Sequence, residues 1–363
     1  MSAVPLDAWQ VGPHNRWAYV HVDEVVPTAV VSRGDGPVRE LRAGSGDAGL
    51  AGLDVVRELL DELETDGLAV VHDGALVLEA YRGEMDERSL HLSQSVGKSV
   101  VGLLVGALGL DLDTPVTDLV PEVGESGWRG ATLRHLLDMT AAIGFTEDYA
   151  VDFWRYDVAC AWHPPHGGAE ERVLDFLPTV GPAPDGRAHG ARFHYATPNT
   201  DLLGIAAARA AGDVPLSELI ATRLWAPLGA EADALLTVDR DGTGTPGGGF
   251  CATLRDYARL GRLVLEDGAG VVPAAYVREL GAAPIVDPSD PEGCSGADGY
   301  ARQWWRRDGR TMARGIHGQT VCVDRPTRTV VAVLSSWPDA TDARREAAHR
   351  RLVTDVCAAL DAS

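Results

Sequence analysis

The stretch of sequence that most constrains the fold is residues 95–110, where small or apolar residues occupy almost every side of a helix. Such a helix is stable only when other parts of the molecule cover all of its faces. The chain has 363 residues, of which 45 % are hydrophobic, so it is long and apolar enough to provide that cover. The stretch is much shorter than the ~20 residues that a membrane span needs. We therefore predict a buried core helix and no membrane segment.

This helix carries Lys98, which is the only lysine of the chain, since 31 of the 32 Lys and Arg residues are arginine. A coding bias toward arginine explains the missing lysines but not the one that remains. Arginine keeps its proton near neutral pH, whereas a desolvated lysine can lose it. A single lysine inside a buried helix therefore indicates acid–base chemistry.

Ser95 lies three residues before Lys98, so the two side chains share one face of the helix. Ser95 would stand in the first turn, where free N–H groups and the helix dipole favour negative charge. An activated serine needs a base within hydrogen-bond reach and a site that stabilises its alkoxide. The pair predicts a serine nucleophile. The alternative is a helix-capping serine followed by a lysine that extends to solvent.

Composition limits the partners and the compartment. The net charge of -21 argues against nucleic acid, because phosphate binding needs a basic surface. The first residues do not contain the basic region followed by an apolar region that a signal peptide has, so we expect no signal peptide and a cytoplasmic protein. His163 and His166 lack carboxylate and cysteine partners at metal spacing, so we expect no metal and no cofactor. We interpret the five scattered cysteines as reduced core thiols: Cys160, Cys251, Cys294, Cys322 and Cys357.

Strand patterns stand near both ends of the chain, with helical patterns between them. An Asp73-Gly74 turn between two apolar runs predicts a β-hairpin. Two further strands are predicted at residues 320–324 and 329–335, and residues 147–184 are predicted as a structured loop region. We predict an α/β domain from residues 1–115 and 236–363, a mainly helical domain from residues 116–235, and an active site between them.

Three motifs resemble, in order, those of the serine β-lactamase and penicillin-recognising hydrolase superfamily. Residues 95–98 look like its Ser-x-x-Lys motif, residues 193–204 like its tyrosine motif, and residues 315–319 occupy the place of its Lys-Thr-Gly strand. Four other runs are similar to the branch of nylon-oligomer (6-aminohexanoate-dimer) hydrolases and related carboxylesterases: residues 7–18, 147–149, 300–305 and 334–339. The resemblance covers nearly the whole chain. It implies a β-lactamase-like α/β fold (an α+β sandwich) with an antiparallel sheet flanked by helices and a helical insertion.

The resemblance also implies roles for individual residues. Ser95 would be the nucleophile, Lys98 the partner that shares its proton, and Tyr195 a second general base and the acid for the leaving group. The backbone N–H groups of Ser95 and Ile316 would form the oxyanion hole. Which of Lys98 and Tyr195 carries the proton is a property of the coupled pair.

Five further residues would contact the substrate by the same resemblance. Tyr149 would close over the substrate and assist proton delivery to the amide nitrogen, and Asp157 would hold an ammonium group. Trp305 would line the pocket, and His317 stands where penicillin-recognising enzymes have a lysine. Gly247 stands where the branch has an asparagine that faces the substrate.

We therefore expect a serine hydrolase that cleaves a small amide or ester through an acyl-enzyme on Ser95, of the 6-aminohexanoate-oligomer amidase and carboxylesterase type. A β-lactamase and an acyltransferase of the same fold are the alternatives within the superfamily. The alternative of another class is a binding module that kept the fold without catalysis. The resemblance suggests a homodimer, with a small-molecule amide or ester as the partner.

Overall fold

The computed structural model describes residues 4–44, 49–149, 153–165, 167, 170–284 and 296–361. Its strands are β1 (Thr28–Val31), β2 (Arg42–Ala43), β3 (Thr65–His72), β4 (Ala75–Tyr81), β5 (His91–Leu92), β6 (Ala234–Thr237), β7 (Phe250–Ala252), β8 (Gly299–Ala301), β9 (Trp304–Arg307), β10 (Arg310–Gly315), β11 (Gln319–Asp324) and β12 (Thr329–Ser335).

Its α-helices are α1 (Asn15–Ala18), α2 (Asp54–Glu62), α3 (Val96–Leu108), α4 (Val116–Leu119), α5 (Leu133–Leu137), α6 (Trp154–Ala159), α7 (Val173–Phe176), α8 (Pro198–Ala210), α9 (Leu216–Ile220), α10 (Ala226–Leu228), α11 (Leu254–Leu265), α12 (Ala274–Arg278) and α13 (Ala343–Asp361). A π-helical turn, Ala221–Trp225, joins α9 to α10, and a 3-10 turn, Ile316–Gly318, joins β10 to β11. None of the helices in the described part of the chain is both long and apolar enough to cross a membrane.

The larger sheet contains strands from both ends of the chain, in the order β2-β4-β3-β12-β11-β10-β9-β8. Its centre is the antiparallel pair β3 and β12, in which Val70 lies opposite Val331. The β3–β4 hairpin turns at Asp73 and Gly74, which both have positive φ angles, as the sequence predicts. A smaller sheet, β1-β6-β7-β5, ends on the short strand that leads into α3.

Alternating side chains on the central strands cover the sheet on both sides. Val70 and Val331 pack in one apolar cluster with residues of α2 and α13. Val71 and Val330 point the other way and pack in a second cluster with residues of α11 and α3. This period of two is what a strand requires when both faces of its sheet are buried. The predicted α/β architecture, in which helices flank a sheet, is confirmed.

Helix α3 is buried over almost its whole length. Its glycines allow neighbouring backbone to approach closely: a Cβ atom on Gly97 would lie 2.5 Å from the carbonyl oxygen of Pro246, and one on Gly102 would lie 2.2 Å from that of Arg302. The helix therefore touches chain segments far apart in sequence, and its amino-terminal end is held in a fixed position.

The structure corrects the sequence interpretation in its helices and in its strands. Residues 147–184, predicted as a loop region, contain α6 and α7, which are too short to show a helical period. Strands β1, β2 and β5 to β10 have no predicted counterpart, because all of them except β10 are too short to show apolar and polar alternation. The four described cysteines are buried and free, and Cys294 lies outside the described residues. The division at residues 115 and 236 stays a prediction.

Replacing Gly102 with alanine tests the close approach at α3. Alanine normally stabilises a helix interior relative to glycine by about 1 kcal/mol. Here the new Cβ would overlap the Arg302 carbonyl oxygen at 2.2 Å. We expect Gly102→Ala to lower the free energy of unfolding by about 1–3 kcal/mol in urea denaturation. Gly36→Ala, where nothing lies within 4 Å of the Cβ position, is the matched control. A stabilised Gly102→Ala variant would contradict the packing.

Candidate active site

Ser95 stands at the amino-terminal end of α3, and its side chain does not cap the helix. Ser93 fixes the preceding turn, because its backbone N–H and its hydroxyl both donate to the Phe250 carbonyl at 2.9 Å. Gln94 adopts a positive φ of 50°, which is rare for this residue type and marks a backbone held by its surroundings. Ser95 makes no side-chain capping hydrogen bond, so the capping alternative does not hold and its Oγ is available for other partners.

Lys98 is buried beneath Ser95 and contacts it directly. Its Nζ lies 2.8 Å from Ser95 Oγ and 2.5 Å from the carbonyl oxygen of Gly247. Burial lowers the pKa of the Lys98 ammonium from 10.5 to about 8, and the negative charges of Glu147 and Asp201 oppose that shift. The structure thus places beside the serine a lysine that can lose its proton close to neutral pH.

Tyr195 completes a cluster of three side chains with Ser95 and Lys98. The Ser95 side chain lies close enough to the Tyr195 hydroxyl to influence the pKa of the phenol, and the Tyr195 ring centroid lies 5.1 Å from Lys98 Nζ. The ring stacks on Trp305, with centroids 5.5 Å apart and planes 26° from parallel. Burial raises the pKa of the Tyr195 phenol far above its ordinary value, so the group is protonated at neutral pH.

The end of β10 runs alongside the backbone of Ser95. A Cβ atom on Gly315 would lie 2.5 Å from the Ser93 carbonyl oxygen and 3.0 Å from the Ser95 nitrogen, so a side chain here would disturb this close approach. Ile316 follows at the start of a 3-10 turn, and Ser95 stands at the start of α3. The first N–H groups of such turns have no acceptor within the turn. Ser95 and Ile316 line the same cavities, and their role as the oxyanion hole stays a prediction.

Two cavities meet at these residues. The first, which we call the arm cavity, has a volume of about 310 Å³ and includes the amino-terminal residues 6–11 in its lining. The second, which we call the strand cavity, has a volume of about 80 Å³ and lies against the end of β10. Ser95, Tyr149 and Ile316 line both cavities. The predicted site residues divide between them: Asp157, Gly247 and His317 line the arm cavity, and Tyr195 and Trp305 line the strand cavity.

Asp157 places an unused carboxylate oxygen at the arm cavity. Its Oδ1 atom is buried and has no hydrogen-bond partner among the described residues. The side chain is also hydrogen-bonded to Gln10. Burial, together with the charge of Glu147, raises the pKa of the Asp157 carboxyl to about 8. A bound cation would supply the missing partner and favour the ionised carboxylate.

His317 and Gly247 contribute to the arm cavity in ways that the sequence does not indicate. Burial lowers the pKa of His317 to about 4, so its ring is neutral, and Nδ1 lies 2.7 Å from the Trp337 carbonyl. A Cβ atom on Gly247 would lie 2.6 Å from Thr197 and 2.9 Å from the Tyr156 hydroxyl. A side chain there would meet these buried groups, so Gly247 acts through its backbone carbonyl to Lys98.

Two buried acids support the site and were not among the predicted site residues. Glu147 accepts hydrogen bonds from the Tyr149 hydroxyl at 2.9 Å and from the Thr197 N–H at 2.8 Å. Asp201 accepts one from the Gly247 N–H at 2.8 Å. Asp201 thus positions Gly247, and the Gly247 carbonyl accepts a hydrogen bond from Lys98. No local pattern marks these acids, because each acts through groups that lie far along the chain.

No group of three or more His, Cys, Asp and Glu residues in the described ranges is arranged to hold a metal ion. His163 lines the arm cavity, and His166 lies outside the described residues.

The chain is similar to known hydrolases over nearly its whole length. The 6-aminohexanoate-dimer hydrolase of Paenarthrobacter ureafaciens is 35 % identical over 374 residues, covering 98 % of this chain and 94 % of that protein. A protein of Bacillus anthracis proposed to be a 6-aminohexanoate-dimer hydrolase superposes with a TM-score of 0.84 at 22 % identity, covering 99 % of this chain and 97 % of that chain.

A D-amino acid amidase of Ochrobactrum anthropi superposes with a TM-score of 0.63 at 16 % identity, covering 87 % of this chain and 97 % of that chain. The last two similarities concern the fold alone. The family model described as Beta-lactamase matches residues 54–355. The resemblance inferred from the three motifs and the assignment as a serine hydrolase are confirmed. By sequence and by fold, the chain belongs to the beta-lactamase family.

Proposed function

We propose that this chain cleaves short linear amides and esters through an acyl-enzyme on Ser95. The observation that carries the proposal is the contact of 2.8 Å between Lys98 Nζ and Ser95 Oγ. A neutral lysine amine that donates to the Gly247 carbonyl directs its lone pair toward the serine hydroxyl. The lowered pKa of Lys98 makes that neutral form accessible near neutral pH.

Acylation begins when Lys98 takes the Ser95 hydroxyl proton and Oγ attacks the substrate carbonyl carbon. The carbonyl oxygen becomes an oxyanion that accepts hydrogen bonds from the N–H groups of Ser95 and Ile316. Each such donor typically contributes ~3–4 kcal/mol to transition-state stabilisation. The rigid start of α3 and the glycine at position 315 keep these donors in place before substrate binds.

Breakdown of the tetrahedral intermediate needs a proton on the leaving nitrogen or oxygen. Tyr195 is protonated, lies close to the Ser95 side chain and lines the strand cavity, so it supplies this proton. The proton that Lys98 gained then returns to the Tyr195 oxygen. Water attacks the acyl-enzyme in the second half of the reaction, and the same groups accept its proton and return one to Ser95 Oγ. The lysine and the tyrosine thereby end in their starting states.

The arm cavity supports a substrate with a positive charge on its acyl portion. Asp157 lines this cavity and has a buried oxygen without a partner among the described residues, and Asp7 adds a second acid to the lining. A cavity of about 310 Å³ suits a short linear chain. The name of the relative that is 35 % identical, 6-aminohexanoate-dimer hydrolase, describes a substrate with a terminal amine. We propose linear ω-amino amides as the substrate class, with simple esters as alternatives.

The cytoplasmic location and the homodimer remain part of this proposal rather than observations. Sizing of the purified chain by light scattering tests the homodimer, which has twice the mass of the 38.5 kDa chain.

The pKa of Lys98 can be measured directly, because the chain has one lysine. Lysine labelled with ¹³C at Cε gives a single side-chain signal, whose shift follows the protonation of Nζ. We expect an apparent pKa of about 8 in the natural chain. Glu147→Gln removes a negative charge that favours the ammonium, so the pKa is expected to fall further. Glu125→Gln, at an exposed residue, should leave it unchanged. An ordinary lysine pKa near ~10.4 would remove Lys98 as a base.

Covalent labelling tests the nucleophile. A fluorophosphonate probe is expected to modify Ser95, as located by mass spectrometry, and Ser95→Ala should abolish the modification. Lys98→Arg keeps a positive charge but removes a group that can lose its proton, so labelling should slow by about 100-fold or more. Ser89→Ala, at an exposed serine, is the control. Folded protein that labels elsewhere or not at all would favour the binding module over the enzyme.

The role of Asp157 is tested with two anilides that differ only in charge. We expect Asp157→Asn, which keeps the size of the side chain, to lower kcat/KM for a 6-aminohexanoyl anilide about tenfold relative to a hexanoyl anilide. The reason is that the ammonium loses its carboxylate partner while the rest of the cavity is unchanged. Equal losses on the two anilides would show that Asp157 does not bind the ammonium.

A further inference from the structure

The two cavities share Ser95 but contain residues with different proposed roles. Tyr195, which carries the proton for the leaving group, lines the strand cavity and not the arm cavity. Asp157, which suits a cation on the acyl portion, lines the arm cavity and not the strand cavity. A substrate whose carbonyl oxygen lies at the N–H groups of Ser95 and Ile316 therefore places its leaving group in the strand cavity.

The strand cavity contains a cation, Arg314, that the reaction described above does not use. Arg314 lies on β10, two residues after Met312, so both side chains point to the sheet face that carries Trp305 and Tyr195. Its side chain is 13 % exposed, and its charge acts on the Tyr195 hydroxyl. Arg314 is therefore close to the reacting groups and still open to the cavity.

The hydrogen-bonding capacity of Arg314 is only partly used. Its Nη2 lies 2.5 Å from Glu346 Oε2, and this is the one side-chain partner that it has within the described residues. A guanidinium has five N–H donors, arranged so that two can bind one carboxylate. Burial lowers the pKa of Arg307, and the charge of the nearby Arg314 lowers it further, so a second arginine lies close to the first. Arg314 can thus accept a further carboxylate beside Glu346.

We propose that Arg314 binds a carboxylate on the leaving group, so that the site selects linear chains with an ammonium at one end and a carboxylate at the other. This inference rests on the proposed function. The ammonium contacts Asp157 in the arm cavity, and the carboxylate contacts the free N–H groups of Arg314 in the strand cavity. The spacing of the two charges then sets which bond of the chain lies at Ser95.

Glu346 competes with the substrate carboxylate for the guanidinium. It lines the same cavity and is 29 % exposed, so it can turn toward solvent when a ligand arrives. Removing its charge by Glu346→Gln makes Arg314 more available. The effects of replacing Arg314 and Glu346 should therefore have opposite signs on a substrate that ends in a carboxylate.

The test uses two substrates that differ only at one terminus: the linear dimer of 6-aminohexanoate and its C-terminal carboxamide. The measured quantity is the ratio of kcat/KM for the carboxylate to that for the carboxamide. We expect Arg314→Gln to lower this ratio about tenfold or more, mainly through KM, and Glu346→Gln to raise it severalfold. Arg129→Gln, at an exposed arginine whose partner is Glu125, is the matched control and should leave the ratio unchanged.

The ratio separates binding from a general effect on the site, because a change in Tyr195 or in stability alters both substrates together. The double variant Arg314→Gln, Glu346→Gln removes both charges and covers the case in which the single Arg314 variant does not fold. An unchanged ratio in these variants overturns the carboxylate site. Failure of the proposed function has a different signature, since then the unmodified chain cleaves neither substrate and Ser95 resists the fluorophosphonate.

Discussion

The burial of one ammonium group governs the structure around Ser95. Lys98 lies in α3, a helix that is covered on every side, and its pKa falls from 10.5 to about 8. That difference corresponds to roughly 3 kcal/mol against the charged form. Glu147 and Asp201 offset part of the desolvation, and the Gly247 carbonyl accepts a hydrogen bond from Nζ. The pKa of Lys98 is thus set by groups that are far apart in the sequence and that folding brings together.

The same supporting groups also fix the parts that would contact a substrate. Glu147 accepts hydrogen bonds from the Tyr149 hydroxyl and from the Thr197 N–H at the start of α8. Asp201 holds Gly247, which lines the arm cavity. A change to either acid would therefore affect the charge state of Lys98 and the shape of the cavity at once. Catalysis and substrate recognition depend here on the same buried network. A substitution in it can change both, and only a comparison of matched substrates separates the two effects.

The sequence predicts the nucleophile, its lysine and the sheet from both chain ends, because these depend on local signals. A single lysine in an apolar helix and an Asp73-Gly74 turn are visible without any knowledge of the fold. The resemblance adds Tyr195, Ile316 and Asp157, and the structure brings all three to the cavities beside Ser95.

The sequence does not predict the residues that act across long separations. Glu147 and Thr197 are 50 positions apart, and Asp201 and Gly247 are 46 apart. Their roles follow from contacts made only in the folded chain. Arg314 looks like any of the many arginines until β10 places it in a cavity. Short strands such as β5 and β8 are missed because two or three residues show no period.

The presence of a single lysine affects how this protein can be modified chemically. Reagents that attack primary amines, such as succinimidyl esters and aldehyde fixatives, find no lysine on the surface, because Lys98 is 1 % exposed. The one side-chain amine, that of Lys98, is therefore shielded from such reagents. Immobilisation on a solid support by this chemistry would leave the arginine-rich exterior unmodified and would restrict coupling to the chain terminus, giving a uniformly oriented layer of molecules.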